Sequence, residues 1–567
     1  MDFSGCHVAS IEAALDAQRP GGWRRASQLD LAKYTRLMPL AAWRLEVSQG
    51  QVTCPAVSYF LAMIDTAFPW SEPKIIVPQA PVDFSWPHVE GGGVLCLGAT
   101  RSEATAGDRV LTQLVSACTI LCYTDVERRA EFSREFAAYW NQRLSIKAPQ
   151  QRFFSLLSPR GPSREIRFYG DWLNNAIIVG EDAPSLLAWL HHTGRSVGEK
   201  QIERSWLTWL ENPLIPAQFP ESGADILDNV PERDRGRILK QGDRIPMVIG
   251  VETPTGPALV GVVLKGGNSR ELTKGFRDIR HVPDRIVYQS FAARPVQRCA
   301  LSRADGGWVH GRDHDAEFAS LASKSVLVVG CGALGAPLAR LLVQAGVGRL
   351  VLVDPDDLAT HNTSRHVLGN HFVGRNKAAS LATTLRRDFP HVREVVGLPD
   401  RFERLTSRQL ETIGPIDLVV SAGLALPGDA QINVWRRSLE LLPPHVCAWV
   451  EAYAMVGHAV ALFGLDSLMD GFCADGNFRF RLTDWPEQAH AVIVEAGCGN
   501  VFQPHGAIDL QASVTLASRL ALSVLSGEVV ASCRRTWQGS RDAVVKLGGT
   551  PLELFTESCV VKSWQWP

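Results

Sequence analysis

Residues 325–354 constrain the fold of this chain more than any other stretch. A short aliphatic run at 326–329 is followed by three glycines at GxGxxG spacing and then, over 334–345, by apolar residues at helical spacing. This order predicts a strand, a tight turn and a helix. A second apolar run at 350–353 closes a βαβ unit and ends at Asp354, an acidic side chain placed to accept a hydrogen bond from a ribose hydroxyl.

The three glycines are Gly330, Gly332 and Gly335. A β-carbon would keep the backbone away from a phosphate, and the N-terminus of the following helix offers free N–H groups and positive potential to an anion. These features predict a nucleotide site. Because dinucleotide-binding and adenylating enzymes share this spacing, the residues after Asp354 have to distinguish the two classes.

Those residues follow the pattern Asp, then Asn-x-x-Arg, then Gly-x-x-Lys, with Asn362, Arg365 and Lys377 at the named positions. The pattern resembles the ThiF-type superfamily of ubiquitin-activating enzymes. An enzyme that makes an acyl-adenylate from ATP must neutralise the departing pyrophosphate, and a dehydrogenase has no such need. The resemblance implies an adenylating site that binds ATP, with Mg²⁺ accompanying the nucleotide. The alternative is a Rossmann unit with incidental basic residues on its surface.

The composition describes an ordinary globular protein with more than one domain. The chain has 567 residues, of which 46% are hydrophobic and 21% charged, and its formal net charge is −1. No basic excess favours nucleic acid as a partner. The N-terminal residues lack a basic region followed by an apolar core, and no uninterrupted apolar run is long enough to span a bilayer. We therefore expect a cytoplasmic protein without a membrane partner.

The cysteines favour neither disulfides nor zinc. There are 12 of them, scattered along the chain, and none forms a Cys-x-x-Cys pair. A reducing cytosol disfavours a disulfide framework, and zinc lacks the ligand pairs that usually hold it. Many activating enzymes of the ThiF-type superfamily carry a zinc site built from two such pairs. This chain departs from them, and we predict no structural zinc.

A second motif lies near the N-terminus. The stretch Phe-Pro-Trp-Ser-Glu-Pro at 68–73 leads to an aliphatic run, then to Trp-Pro-His at 86–88, three glycines and the sequence Val-Leu-Cys-Leu around Cys96. This order resembles the core of a ubiquitin-conjugating enzyme, and the resemblance places Cys96 at the thioester cysteine. His88 stands where that family has the Asn of His-Pro-Asn, so it either donates a hydrogen bond to the oxyanion or has a structural role. The alternative for Cys96 is a small buried apolar residue.

The expected fold class is a multidomain α/β and α+β protein. The predicted domains are a ubiquitin-conjugating-like α+β domain at 1–149, a linking domain at 150–304 and a Rossmann-like ThiF adenylation domain at 305–567. The central region carries no motif with chemistry. Its apolar runs at 246–251 and 259–265 predict a hairpin. This region either sets the distance between two sites or docks a substrate.

Two further features depend on the resemblance to activating enzymes. In that family an arginine before the glycine loop reaches the ATP phosphates of the partner protomer in a dimer; Arg312 is the candidate, and a solvated surface arginine is the alternative. The family's strand-end aspartate, which helps to hold magnesium, is replaced here by Gly423. Asp429 is a weak substitute, with Asp354 or Asp356 as the alternatives. No resident metal site is predicted.

The activating thiol is chosen by its surroundings. Cys498 lies between two glycines in a loop before a predicted helix at 508–525. An exposed thiol near a helix N-terminus is more readily deprotonated, which favours Cys498, with Cys473 as the alternative. His505 either orients this thiol or packs in the core.

The two motifs together predict one chain that performs activation and conjugation. ATP and a protein C-terminus give an acyl-adenylate, the acyl group passes to Cys498 and then to Cys96, and a lysine or another amine accepts it. The domain order resembles the fusion enzymes of CBASS antiphage operons. That resemblance implies a cGAS-like nucleotidyltransferase as the activated partner, amine-bearing target proteins and a homodimer. A ubiquitin-like modifier in place of the nucleotidyltransferase demands the same residues.

Two other functions compete with this prediction. Activation of a sulfur-carrier protein uses the same ATP motif but gives no reason for a conjugating domain. A nucleotide-sensing scaffold without catalysis is compatible with the altered His-Pro-Asn motif and with the missing strand-end aspartate.

Overall fold

A computed structural model of the chain describes residues 3–19, 21–47, 52–54, 57–79, 85–101, 103–142, 151–267, 269–494 and 501–567. The chain divides into two compact units. The first unit combines Met1–Glu181 with Glu203–Ser302, and the second combines Asp182–Ile202 with Arg303–Pro567.

The strands and helices of the described residues follow in chain order. The strands are β1 (Trp23–Arg25), β2 (Pro39–Glu46), β3 (Tyr59–Asp65), β4 (Lys74–Ile76), β5 (Arg152–Ser155), β6 (Arg164–Asp171), β7 (Ala176–Gly180), β8 (Glu203–Leu210), β9 (Arg244–Thr253), β10 (Gly256–Lys265), β11 (Gln297–Cys299), β12 (Leu301–Arg303), β13 (Ser325–Val329), β14 (Arg349–Val353), β15 (Glu394–Leu398), β16 (Leu418–Ala422), β17 (His445–Val450), β18 (Val456–Leu462), β19 (Thr483–Asp484), β20 (Ile493–Val494), β21 (Val501–Phe502), β22 (Cys533–Gln538), β23 (Thr550–Pro551) and β24 (Val560–Gln565). The α-helices are α1 (Phe3–Gln18), α2 (Gln28–Leu31), α3 (Ala106–Leu121), α4 (Asp125–Arg134), α5 (Phe136–Gln142), α6 (Ala183–His192), α7 (Gly223–Leu227), α8 (Glu232–Leu239), α9 (Ser269–Leu272), α10 (Asp284–Ala292), α11 (Gly306–Val309), α12 (Phe318–Ser323), α13 (Gly335–Gln344), α14 (Lys377–Asp388), α15 (Ser407–Ile413), α16 (Leu426–Arg437), α17 (Ala507–Leu525) and α18 (Arg541–Lys546).

The first unit begins with an antiparallel sheet in the order β1-β2-β3-β4. Trp43 and Phe60 point from this sheet into a core that also contains Ile11 of α1 and Val110 of α3. α3 begins where the side chain of Thr105 accepts a hydrogen bond from the N–H of the third helical residue, which is a favourable N-cap. The segment after β4 stays on the sheet through backbone hydrogen bonds, and this segment carries Cys96.

A larger sheet of the first unit has the order β11-β10-β9-β8-β6-β7-β5-β12. The predicted hairpin is confirmed, since β9 and β10 pair antiparallel from Gly256 to Lys265. α4 and α5 pack on this sheet, with Phe136 and Trp140 in the same core as Ile249. One hydrophobic core therefore contains residues from both sides of position 149. The domain limits at 149 and 304 stay predictions.

The second unit is built on a sheet in the order β15-β14-β13-β16-β17-β18-β22-β24. β13 lies parallel to β14 and β16, so the predicted βαβ unit is confirmed. All five residues of β13 and of β16 are buried, as expected for central strands covered on both faces. The carboxyl ends of parallel strands open at one edge of the sheet, where ligands bind in folds of this kind.

The helix α17 is the single described helix that is long and apolar enough, by length and composition, to cross a membrane. It packs instead within the second unit, against α13, β17, β18 and β22. Its residues Leu520 and Ala521 are fully buried there. α17 is therefore a core helix of this unit.

Candidate active sites

The glycine loop connects β13 to α13. Gly330 has a φ of 89°, and a β-carbon on it would lie 2.4 Å from the carbonyl oxygen of Ala422. A β-carbon on Gly335 would lie 1.9 Å from the carbonyl oxygen of Gly330. A β-carbon on Gly332 would meet no described protein atom within 4 Å. The packing of the protein itself therefore requires two of the glycines, whereas Gly332 leaves space in a cavity that it lines.

Asp354 follows β14 directly and holds the loops on both sides of this cavity. Its Oδ2 accepts a hydrogen bond of 2.6 Å from the N–H of Cys331, and its Oδ1 accepts one of 2.8 Å from the N–H of Asp356. Burial raises the pKa of Asp354, and the two donated hydrogen bonds oppose that rise. The side chain predicted to face a ribose thus also fixes the shape of the loop.

The cavity has a volume of about 990 Å³ and lies at the carboxyl ends of the parallel strands. Gly330, Gly332, Asp354 and Lys377, four of the predicted nucleotide contacts, line it. A volume of this size matches pockets for ligands as large as a nucleotide. Sequence reasoning did not find the lining residues Trp449, Phe472 and Gln503, because they come from distant strands and loops. His505, which also lines the cavity, was assigned a different role.

Lys377 is the first residue of α14 and brings a positive charge to the cavity. Its Nζ lies 3.0 Å from Oδ2 of Asp356. The N-cap residue Asn376 supports the same turn, since its side-chain amide donates to the carbonyl oxygens of Asp354 and Asp356. The ammonium group is thereby held next to the glycine loop, where it would oppose the charge of a phosphate.

The structure does not bring the other predicted nucleotide contacts to the cavity wall. Asn362 accepts a hydrogen bond of 3.1 Å from the N–H of Ala359, so its side chain closes a local turn. Arg365 is not among the lining residues, although its charge reaches the lining residue His505, whose pKa is lowered by burial first and then by this charge. Arg312 is exposed in a turn and has a φ of 53°. The roles of these three side chains stay predictions.

The strand-end aspartate of activating enzymes is absent here, and a different carboxylate lines the cavity. Gly423 follows β16 with a φ of 67°, while Asp429 lies in the first turn of α16 and is 4% exposed. Oδ1 of Asp429 has no hydrogen-bond partner among the described residues, and burial raises its pKa to about 7. Asp429 is therefore placed at the site, and its burial makes its ionised form less favourable than that of an exposed carboxyl.

Asp429 also belongs to a buried group with His445 and Cys447, whose ligand atoms lie within 4.8 Å of one another. His445 Nε2 lies 2.9 Å from Oγ of Ser421. The sulfur of Cys447 lies 3.4 Å and 3.6 Å from the two ring nitrogens of His445. These nearly equal distances place the sulfur over the ring face, off the lone pair of either nitrogen, which does not suit a shared metal ion.

Cys96 lies in the first unit on an exposed loop after β4. Its N–H donates a hydrogen bond of 2.8 Å to the carbonyl oxygen of His88. His88 has a φ of 59°, and its own N–H donates to the hydroxyl oxygen of Tyr139 at 2.7 Å. The loop that presents the cysteine is thus fixed by backbone contacts on both sides of His88.

The ring of His88 lies between two carboxylates. Nε2 is 3.2 Å from Oε1 of Glu131, and Nδ1 is 3.7 Å from Oε2 of Glu135. Nε2 is within hydrogen-bond distance of Glu131, whereas Nδ1 lies beyond that distance from Glu135. The role of His88, as an oxyanion donor or as a structural residue, stays a prediction. Burial, followed by the charges of Glu90 and Glu135, raises the pKa of the Cys96 thiol.

Sequence reasoning missed Glu131, Glu135 and Tyr139. Their spacing of four residues places them on one side of a helical segment, and this signal is visible in the sequence. What the sequence does not show is that this side of the segment meets His88.

The predicted activating thiol, Cys498, lies outside the described residues. Its alternative, Cys473, is exposed, and its N–H donates to the carbonyl oxygen of Asn477. His505 lines the nucleotide cavity, and its Nδ1 lies 2.9 Å from the carbonyl oxygen of Gln503.

Two family models match the two sites. The model of the ThiF family matches residues 312–453, which include the glycine loop, Asp354 and Lys377. The model of prokaryotic E2 family B matches residues 30–149, which include His88 and Cys96. The predicted fold class, with a conjugating-like region first and a ThiF-type region last, is confirmed.

Known proteins resemble this chain over different lengths. The adenylyltransferase and sulfurtransferase MOCS3 of Mus musculus is 57% identical over 68 residues, which cover 12% of this chain and 15% of that protein. The crystal structure of E. coli MccB with AMPCPP and MccA has a TM-score of 0.29 and 14% identity, and the match covers 44% of this chain and 65% of MccB. This chain therefore spans only a small part of the MOCS3 length.

A longer match comes from the ATP-dependent ubiquitin transferase-like protein Cap2 of Escherichia coli strain TW11681. It is 33% identical over 516 residues, which cover 83% of this chain and 86% of that protein. Cap2 of Vibrio cholerae is 23% identical over 255 residues, 41% of each chain. This chain, with a prokaryotic E2 family B region joined to a ThiF family region, belongs to the Cap2 family of ATP-dependent ubiquitin transferase-like proteins.

Proposed function

We propose that this protein uses ATP to activate the C-terminal carboxylate of a partner protein and then conjugates that partner to an amine. The observation that carries the proposal is the presence of two sites in one chain. The second unit holds a nucleotide-sized cavity with Gly332, Asp354 and Lys377, and the first unit presents Cys96 on an exposed loop.

The two sites fit two halves of one reaction. A peptide carboxylate is a poor electrophile, because attack on it would have to expel oxide. Joining it to AMP supplies a good leaving group, and a thiol then captures the acyl group as a thioester that still reacts with amines. ATP, accompanied by Mg²⁺, would supply the AMP. Gly332 leaves room for its phosphates, and Lys377 supplies positive charge next to them.

The acyl group then passes between two cysteines. In this proposal Cys498 receives it from the adenylate, Cys96 takes it from Cys498, and a lysine or another amine takes it from Cys96. Cys473 is the alternative to Cys498. The thioester on Cys96 would be open to an incoming protein, because Cys96 is exposed.

The identity of the partner rests on the family. The activated partner in this proposal is a cGAS-like nucleotidyltransferase in an antiphage operon, as the resemblance in domain order implies, with a ubiquitin-like modifier as the alternative. We further propose a cytoplasmic homodimer in which Arg312 reaches the nucleotide of the partner subunit.

The match to MOCS3 favours a second candidate function. That protein's name joins adenylyl transfer to sulfur transfer, and the match reaches 57% identity over 68 residues. In a sulfur-carrier reaction the adenylate becomes a thiocarboxylate, and Cys96 has no role.

Intact mass spectrometry without reducing agent tests both functions. The protein is co-expressed with the products of its neighbouring genes as wild type, Cys96→Ala, Cys498→Ala and Cys473→Ala. We expect a thiol-labile adduct of one neighbour on the wild type, which persists on Cys96→Ala and is lost from Cys498→Ala. A thiocarboxylate on the neighbour that forms equally well with Cys96→Ala would favour sulfur transfer. No thiol-labile adduct with any neighbour would overturn the relay.

A further inference from the structure

Several carboxylates surround Cys96, although a reactive thiol does not need negative charge beside it. Glu90 and Glu135 act on the thiol by charge, and Glu131 and Glu135 flank the neighbouring ring of His88. The side chain of Glu131 is 13% exposed and that of Glu135 is 40% exposed, so Glu135 is the flanking carboxylate that an incoming molecule can reach.

These charges oppose the step in which the Cys96 thiol attacks a thioester and takes over the acyl group. A negative neighbour disfavours the thiolate, which is the form that attacks a thioester. It also makes the sulfur a poorer leaving group when it departs as a thiolate. The carboxylates must therefore serve a different step if they serve catalysis at all. The remaining step is the attack of an amine, in which positive charge develops on nitrogen.

We propose that Glu135 carries the proton during aminolysis of the Cys96 thioester, taking it from the attacking amine and delivering it to the departing sulfur. This inference rests on the proposed conjugation function and names the acceptor as a primary amine. Glu135 suits the task because its Oε2 lies 3.7 Å from the ring of His88, the residue whose carbonyl oxygen accepts from the N–H of Cys96. Its charge acts on the Cys96 thiol, and its side chain is 40% exposed.

The step balances as follows. The lone pair of a neutral amine forms a bond to the carbonyl carbon of the thioester while the π pair of the carbonyl moves to its oxygen, and the nitrogen becomes positive. The oxyanion re-forms the carbonyl later, when the C–S bond breaks. The carboxylate of Glu135 stabilises this charge and accepts one proton from nitrogen. The C–S bond then breaks, the electron pair returns to the Cys96 sulfur, and the proton moves from Glu135 to that sulfur. The products are an amide and a neutral thiol, and the raised pKa of this thiol favours the last transfer.

His88 and Tyr139 are positioning residues in this arrangement. The ring of His88 faces Glu131 through one nitrogen and Glu135 through the other, so it holds the two carboxylates apart. The Tyr139 hydroxyl accepts from the backbone of His88 and interacts with Glu135.

Other titratable groups contact this site and have to be considered in any pH profile. Glu131 also pairs with Arg134 at 3.2 Å, and its charge acts on Tyr123. Burial raises the pKa of Tyr139, which therefore keeps its proton at neutral pH. Glu90 acts on Cys96 from its own loop. Glu135 is the member of this group whose charge acts on the Cys96 thiol and whose carboxylate also lies next to the ring of His88.

The first test needs no carrier protein. Cys96 in the full chain is modified with a cationic and with an anionic methanethiosulfonate reagent of equal size, and the rate is followed on the Cys96 peptide by mass spectrometry. We expect the ratio of cationic to anionic rates to fall about fivefold in Glu135→Gln. Glu211→Gln removes one exposed carboxylate elsewhere in the first unit and should leave the ratio unchanged. An unchanged ratio in Glu135→Gln would overturn the inference.

The second test measures aminolysis itself. The wild type, Glu135→Gln and Glu135→Asp are charged on Cys96 with the neighbour found by mass spectrometry and then chased with lysine or with hydroxylamine, which is largely uncharged at neutral pH. We expect the thioester of Glu135→Gln to react with lysine about 10²-fold more slowly than that of the wild type, and Glu135→Asp to recover part of the wild-type rate. Hydroxylamine is a much weaker base than lysine, so its positively charged adduct loses a proton to water without Glu135. It should therefore discharge all three at similar rates, which shows that the thioester is accessible and the fold intact.

The outcomes separate this inference from the proposed function. A wild type that never charges Cys96 would refute conjugation, whatever the reagent ratios show. A wild type that charges normally, with Glu135→Gln reacting with lysine at the wild-type rate and pH dependence, would refute the role of Glu135 and leave conjugation standing.

Discussion

The N–H of Cys96 donates a hydrogen bond of 2.8 Å to the carbonyl oxygen of His88, a residue whose φ of 59° lies in the left-handed region. Residues other than glycine seldom adopt this region, although asparagine, aspartate and histidine do so more often than the rest. The position of the candidate thioester cysteine therefore depends on the backbone of His88 as well as on its ring.

This dependence predicts different costs for two substitutions at position 88. Both His88→Asn and His88→Val remove the ring from Glu131 and Glu135, but only asparagine tolerates the left-handed backbone. We expect His88→Val to lower the free energy of unfolding by about 1–2 kcal/mol more than His88→Asn. Calorimetric unfolding of the two variants checks the difference. Equal stability of the two would show that the backbone conformation carries no cost.

The glycine loop offers a matched pair of substitutions. At Gly335 a β-carbon collides with the backbone of Gly330, so Gly335→Ala should destabilise the second unit by about 1–3 kcal/mol. At Gly332 a β-carbon meets only the cavity, so Gly332→Ala should keep wild-type stability and weaken ATP binding about tenfold or more. Calorimetry and binding of a fluorescent ATP analogue separate the two effects. Normal ATP affinity in Gly332→Ala would place the phosphates elsewhere.

Lys377 is expected to act on charge that develops during adenylation. Lys377→Ala should slow ATP–pyrophosphate exchange by about 10²-fold or more, because it removes a cation from the cavity wall. Asp356, the ion-pair partner of this lysine, is 66% exposed, so loss of the ion pair should change the stability of the protein little. Lys324→Ala is the control, since Lys324 pairs with Asp417 at the opposite, N-terminal end of β13. Equal exchange by both variants would contradict this role.

Asp429 should make the second unit less stable as the pH rises. Its folded pKa of about 7 lies above the ordinary value of 3.8, so between these values the folded state holds a proton that the unfolded state has lost. Stability is therefore lost as the pH rises from about 4 to about 7, by on the order of 4 kcal/mol. Asp429→Asn lacks this titrating group, so its free energy of unfolding should increase relative to that of the wild type as the pH rises from about 5 to about 8. Unfolding of both proteins at the two pH values tests this; a constant difference would contradict it.

Local patterns in the sequence predicted most of the residues near the glycine loop that form the nucleotide site. The residues from β13 to Lys377 are close in sequence, and the strand and helix periods decide which side chains face the same edge of the sheet. Gly330, Gly332, Asp354 and Lys377 therefore line one cavity, whereas Gly335 packs against the backbone of Gly330 and is not among the lining residues. Asn362 and Arg365 come from the same motif but lie off the cavity wall, because the intervening turns set their direction.

The sequence by itself determined the βαβ unit, the cavity-lining residues next to it, the hairpin and the loop that exposes Cys96, since each depends on residues that are near neighbours in the chain. Tertiary structure alone decided which distant groups meet. It brings Glu131 and Glu135 to His88, Asp429 to His445, and Trp140 to the larger sheet of the first unit. The physical reason is that spacing specifies the face of a helix or strand on which a side chain lies. Packing of whole elements decides what that face contacts, and with it the burial and charge that give each side chain its chemistry.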